Sequence, residues 1–149
     1  MFKKILVPLL IVSSLNLMVL SLNAFAEDSV FDGKDTLLCT VMNTRQCELD
    51  GCRLVDSEDI GVPQHILADF KKKRMTSTEF SGLNIETPIG NVTREDNRLF
   101  VRGIDENAEA PEDAVAWSMV VADPTGMMTL TIGSEEVAFV SFGACVPLE

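Results

Sequence analysis

AVAWSMVVADPTGMMTLTIGSEEVAFVSFGAC, residues Ala114 to Cys145, reads as three β-strands joined by two tight turns. Val115, Trp117, Met119 and Val121 alternate with Ala116, Ser118 and Val120, the period of a strand with one buried face. Asp123-Pro124-Thr125-Gly126 supplies the first turn, because Pro presets φ and Gly accepts φ > 0. Met128, Leu130 and Ile132 then share a face against Thr129 and Thr131. Gly133-Ser134-Glu135-Glu136 turns the chain again, and Val137 to Phe142 returns. The stretch is an antiparallel meander that holds the only Trp of the chain and ends in a cysteine. Nothing in it carries an evident catalytic pattern.

Cys145 belongs with Cys39, Cys47 and Cys52. An even count in an exported domain reads as two disulfides, with three possible connectivities. The favoured one pairs Cys47 with Cys52 as a local clip and Cys39 with Cys145 as a staple from the first strand to the last. A zinc site is the rival reading. The spacing C-x7-C-x4-C fits no common zinc pattern, and the lone histidine, His65, is remote in sequence.

Upstream of the meander the same logic gives further short strands. Glu27 to Asp35 is polar and reads as a flexible start. TLLCTVM, Thr36 to Met42, is the first strand, rich in apolar and β-branched residues. Asn43 to Gly51 reads as a loop, followed by a short strand at Arg53–Val55. HILADFK, from His65, places Ile66, Ala68 and Phe70 on one face. Met75 to Phe80 forms another strand across Lys71-Lys72-Lys73-Arg74, and Ser81-Gly82 reads as a hairpin turn. Leu83, Ile85, Thr87 and Ile89 share a face, with Pro88 marking an edge or bulge. Glu95-Asp96-Asn97 turns into RLFVRG, where Leu99 and Val101 oppose Arg98, Phe100 and Arg102. Asp105 to Asp113 is a long acidic loop. The only candidates for helix are short, at Asp59–Ile66 and Pro111–Val115.

The count is eight or nine short strands with no crossover helix, which defines an all-β antiparallel domain. A small lipocalin-like barrel and a barrel-like sandwich both suit its size. A Cys39–Cys145 bond would set the first and last strands side by side, as barrel closure requires. An eight-stranded barrel is either filled by its own side chains or holds one small ligand.

Residues 1–26 are read as a cleaved signal peptide ahead of a single domain at 27–149. Lys3 and Lys4 precede an apolar run from Ile5 to Leu22, and Ala24-Phe25-Ala26 offers small residues at the cleavage positions. An uncleaved anchor helix is the competing reading, since the run approaches spanning length. Cleavage leaves no transmembrane segment and places the domain in the periplasm or outside the cell. The net charge is −11 over the chain and more negative once Lys3 and Lys4 are removed. Such a surface repels nucleic acid and anionic membranes and attracts a basic partner.

The order Cys39, Cys47, Cys52, GVPQHILADFKKK at Gly61–Lys73, Trp117-Ser118, Gly126 and the final Phe142-Gly-Ala-Cys145 resembles small exported proteobacterial proteins of unassigned activity. The resemblance implies a periplasmic domain and carries over no functional residue. The general plan also looks like lipocalin-type barrels and small periplasmic lysozyme inhibitors. The Tyr-containing motif of the latter is missing, as the chain has no Tyr.

Catalytic patterns are weak. His65 could join Ser57, Ser77, Ser118 or Ser141 in a triad, but no G-x-S-x-G elbow exists. Carboxylates cluster as Asp56/Glu58/Asp59 and as Glu109/Glu112/Asp113, both in expected loops. Asp105, Glu106, Asn107 and Glu109 could offer oxygens to calcium but lack the EF-hand order. Lys71–Arg74 is the only basic run and reads as a solvated hairpin end. No cofactor is expected, the reading leans away from an enzyme, and a monomer is expected. Two functional readings follow. In the first, a disulfide-stapled envelope protein binds a small apolar ligand, with Trp117, Met119, Phe70, Met128, Leu130 and Phe139 near the pocket. In the second, an acidic module binds or inhibits a basic, envelope-active hydrolase.

Overall fold

The computed structural model describes residues 29–105 and 114–148. The signal segment, the Glu27 terminus and residues 106–113 lie outside them. The second carboxylate cluster, the calcium set beyond Asp105 and most of the Pro111–Val115 helix candidate therefore lie outside them too.

Ten antiparallel strands form one curled, barrel-like sheet. They are β1 (Leu37–Glu48), β2 (Gly51–Val55), β3 (His65–Asp69), β4 (Arg74–Ser77) and β5 (Glu86–Pro88). They continue as β6 (Asn91–Glu95), β7 (Arg98–Asp105), β8 (Val115–Ala122), β9 (Met127–Gly133) and β10 (Ala138–Pro147). The hydrogen-bonded order is β5-β4-β3-β1-β10-β9-β8-β7-β6, with β2 also beside β1. Alternation decides which side chains face in. Leu99 and Val101 of β7, Trp117, Met119 and Val121 of β8, and Met128 and Leu130 of β9 are all buried, while Phe100 and Met127 face out.

One bent segment brings the two ends of this order together. Its first arm, β5, pairs with β4 at Met75↔Thr87, and its second arm, β6, pairs with β7 at Val92↔Val101. Between the arms, the Ile89 N–H donates to the Lys73 carbonyl at 2.8 Å and the Gly90 N–H to the Arg102 carbonyl at 2.9 Å. Pro88, which has no N–H to give a ladder, ends the first arm just before the chain changes partner. Counting the bent segment once gives nine strands.

The first strand does not end at Met42. A bulge between Val41 and Asn43 shifts the register, and β1 then continues to Glu48. Thr44 thereby points inward, where its hydroxyl meets that of Ser141 at 2.8 Å, so both buried polar groups are satisfied. The segment expected to be a loop is thus the β1–β2 hairpin, with Cys47 on a strand opposite Cys52. Two further expectations change. The strand from Met75 stops at Ser77, and Phe80 lies exposed in a 3-10 turn, Glu79–Ser81, closed by Gly82 at φ 66° rather than by a hairpin. Asn91–Glu95 forms a strand that alternation alone does not announce, because its only apolar residue is Val92.

Both disulfides of the favoured pairing are present, Cys39–Cys145 and Cys47–Cys52. Cys39 and Cys145 stand directly opposite on β1 and β10 with Cα atoms 3.9 Å apart. The Cys145 N–H turns to the Gly126 carbonyl, away from β1. The cysteines are therefore a non-hydrogen-bonded pair, the closer kind of antiparallel neighbour.

One end of the barrel is packed shut. Residues 29–36 are not a loose start: Phe31 is buried and abuts Gly126 in the β8–β9 turn. The Ser29 hydroxyl bonds the Asp123 carboxylate, which Arg94 also contacts at 2.8 Å. Leu37, Leu99, Met119, Val121 and Met128 fill the interior on this side. The β3–β4 turn lies at the same end. There the Lys72 backbone N–H donates to Asp69 at 2.9 Å and, with the Lys72 ammonium, holds that carboxyl below its ordinary range.

Candidate functional site

The other half of the interior is hollow. A cavity of about 290 Å³ lies among β3, β4, β5, β8, β9, β10 and the end of β7. Its wall is built by the inward positions of strands whose neighbouring inward positions fill the packed end. On β8, Val115 and Trp117 face the cavity and Met119 and Val121 the packed interior. On β9, Ile132 and Leu130 face the cavity and Met128 does not. Ile66, Met75, Ile85 and Phe139 complete the apolar wall. The segment after β2 folds over the mouth with Ile60, Val62 and Pro63 against the cavity. It is held there by Val62 N–H to Ser57 carbonyl and Val41 N–H to Gln64 carbonyl, both 2.8 Å.

Polar groups in the wall are few. Trp117 Nε1–H donates to the Thr87 hydroxyl at 3.0 Å, and this buried bond ties β8 to β5 across the bend. Ser77, whose hydroxyl donates to the Leu83 carbonyl at 2.5 Å, and Thr76 add hydroxyl groups. Asp105, the last residue of β7, is the one ionisable side chain in the lining. Gly103, opposite Trp117 on β7, leaves the room the indole occupies. A Cβ there would lie 2.5 Å from the indole and 2.3 Å from the Pro88 carbonyl.

Of the six residues expected near a pocket, Trp117, Leu130 and Phe139 line this cavity. Phe70, Met119 and Met128 lie in the buried core outside the lining. Ile132 and Val115 were within reach of the alternation that marks Leu130 and Trp117. Ile60, Val62 and Pro63 carry no strand signal, and only the path of the chain brings them to the mouth.

The catalytic arrangements weighed from sequence are not assembled among the described residues. His65 Nδ1 lies 3.1 Å from the Thr40 hydroxyl, and Ser141 bonds Thr44. Asp56 accepts the backbone N–H of Glu58 at 3.0 Å, a local turn contact. The four cysteines are all disulfide-bonded, which removes thiolates from any zinc site. No group of three or more His, Cys, Asp or Glu among the described residues is placed to hold a metal. The chain matches no protein-family model, no curated protein and no solved structure at a significant level.

Proposed function

We propose that the protein binds one small apolar ligand in the hollow half of its barrel. The observation that carries this reading is the cavity itself. Close-packed interiors leave few voids larger than a water molecule, and a cavity of about 290 Å³, open at a mouth, with apolar walls and a few polar groups is the form of a ligand site. The packed end supplies the contrast, because the same strands fill their interior fully there. Two disulfides fit folding in an oxidising compartment, in keeping with an exported protein. No helix among the described residues is long and apolar enough to cross a membrane.

The chain reports on its own occupancy, since Trp117 is its single Trp and it has no Tyr. Octanol is a suitable neutral probe. Burying its methylenes at about 0.8 kcal/mol each corresponds to a Kd on the order of 10 µM. Titration is expected to change Trp117 emission to saturation, with one octanol per chain in native mass spectrometry. Leu130→Phe, which fills the cavity from its wall, is expected to abolish both signals while keeping or raising Tm. An unsaturable response, or equal binding by Leu130→Phe, would reject the reading.

A further inference from the structure

We infer that the cavity takes an uncharged ligand carrying an oxygen that accepts a hydrogen bond, a carbonyl or ether group set on an apolar body. This rests on the cavity being a ligand site and adds the class of ligand it takes. The charge of the ligand follows from the lining. Among the described residues it holds no Lys, Arg or His, and its one ionisable side chain, Asp105, is already engaged within the chain. A carboxylate head would enter with no cation to meet it, and an ammonium head with no free carboxylate. A charge left unpaired among apolar walls costs far more than a neutral polar group there.

The accepting oxygen follows from one hydroxyl. Thr87 is the inward residue of β5, between the exposed Glu86 and Pro88, and is only 7% exposed. It belongs to the cavity wall. Its Oγ1 accepts the Trp117 Nε1–H at 3.0 Å, and this is its one side-chain hydrogen bond among the described residues. A hydroxyl has a proton to give as well as lone pairs to offer. The indole fills a lone pair and cannot take the proton, because its nitrogen only donates. The Thr87 proton is therefore unspent. The other hydroxyls of the lining differ. Ser77 donates to the Leu83 carbonyl and accepts the Ile85 N–H at 3.0 Å, so both its roles are used. Thr76 alternates with the buried Met75 and is half-exposed. A buried donor without an acceptor is costly, and a ligand oxygen removes that cost on binding.

The test compares 2-octanone with 2-methyl-1-octene, in which a methylene replaces the oxygen, by Trp117 emission. Both suit the volume, since the cavity is roughly twice the ~150 Å³ engineered apolar cavity that takes benzene. In Thr87→Val, which keeps the shape and loses the hydroxyl, the ratio of ketone to alkene affinity is expected to fall about fivefold, the worth of one hydrogen bond. Thr87→Ser, which keeps a hydroxyl, should hold the ratio within about twofold of the parent. The infrared carbonyl band of bound ketone, isolated by carbon-13 labelling, reads the contact directly. It should lie below its position in hexane for the parent protein and return to that position in Thr87→Val. Octanoate and octylammonium should each bind at least about tenfold more weakly than the ketone. Should Thr87→Val not fold by circular dichroism, the band in the parent protein still decides. A band at the hexane position there, or one that stays low in Thr87→Val, would overturn the role of Thr87 and leave the cavity reading standing. Charged ligands binding as tightly as the ketone would overturn the selection for an uncharged one. Failure of both neutral ligands to bind would overturn the cavity reading as well.

Discussion

At the scale of single residues, Gly103 illustrates how much of the barrel depends on what is missing. Its position in β7 is ordinary in backbone terms, and its strand alternates as expected. The requirement comes from across the sheet, where the Trp117 indole and the Pro88 carbonyl occupy the space a methyl group would take. Neither neighbour is free to retreat. The indole is held by its bond to Thr87, and Pro88 sits on the bend that joins the two ends of the sheet. Gly103→Ala is expected to destabilise the protein by about 3 kcal/mol, at the upper end of overpacking costs. Gly133→Ala is the control, because nothing lies within 4 Å of the added Cβ. Urea unfolding of the two variants checks this, and equal midpoints would refute the packing account.

At the scale of elements, the two disulfides staple very different lengths of chain. Cys39–Cys145 spans 106 residues and fastens β1 to β10, whereas Cys47–Cys52 spans five and fastens only its own hairpin. In the chain-entropy model the first contributes about 5 kcal/mol and the second about 2. Both staples act on strands already paired by backbone hydrogen bonds, so their effect falls mainly on the unfolded chain. Cys145→Ser should therefore lower Tm at least twice as far as Cys52→Ser. It should also remove most of the sensitivity of the protein to a reductant. Equal losses in a thermal melt would show that the terminal strands hold together without the long staple.

At the scale of the whole molecule, the curl of the sheet matters more than any one ladder. Nine strands in a row could lie open. The bend from β5 into β6 brings the last partner back to the first, and the Trp117–Thr87 bond ties β8 to β5 over it. Removing one partner strands the other in a dry site, which costs about 1–3 kcal/mol. A double-mutant cycle of Trp117→Phe and Thr87→Val is expected to give a coupling of about 1 kcal/mol. Circular dichroism in both variants should retain the strand signal, since no ladder is broken. A coupling near zero would mean that the indole closes the barrel by its bulk alone. The hollow half depends on the same closure, because Trp117 and Thr87 are both part of its wall.

Much of this was legible in the residues. The meander Val115–Phe142 obeys period two, a rule that acts between nearest neighbours along the chain. Its buried face, its turns and the inward set Leu99, Val101, Trp117, Met119, Met128 and Leu130 follow from it. That the first and last strands are neighbours followed from expecting Cys39 to pair with Cys145. Where alternation breaks, the local signal fails. The bulge at Met42 hides six more residues of β1, and the polar β6 is a strand only because β7 lies beside it. The cavity belongs to the same class of fact. Trp117, Leu130 and Phe139 face it while Met119 and Met128, chemically similar and on the same faces of the same strands, fill solid core. The difference is only how far along the barrel each residue sits from the end plugged by Phe31 and how the chain crosses above Ile60 and Val62. The period of a strand determines which way a side chain points. Whether it then meets another side chain or empty space is decided by residues far away in sequence, and so by the tertiary structure alone.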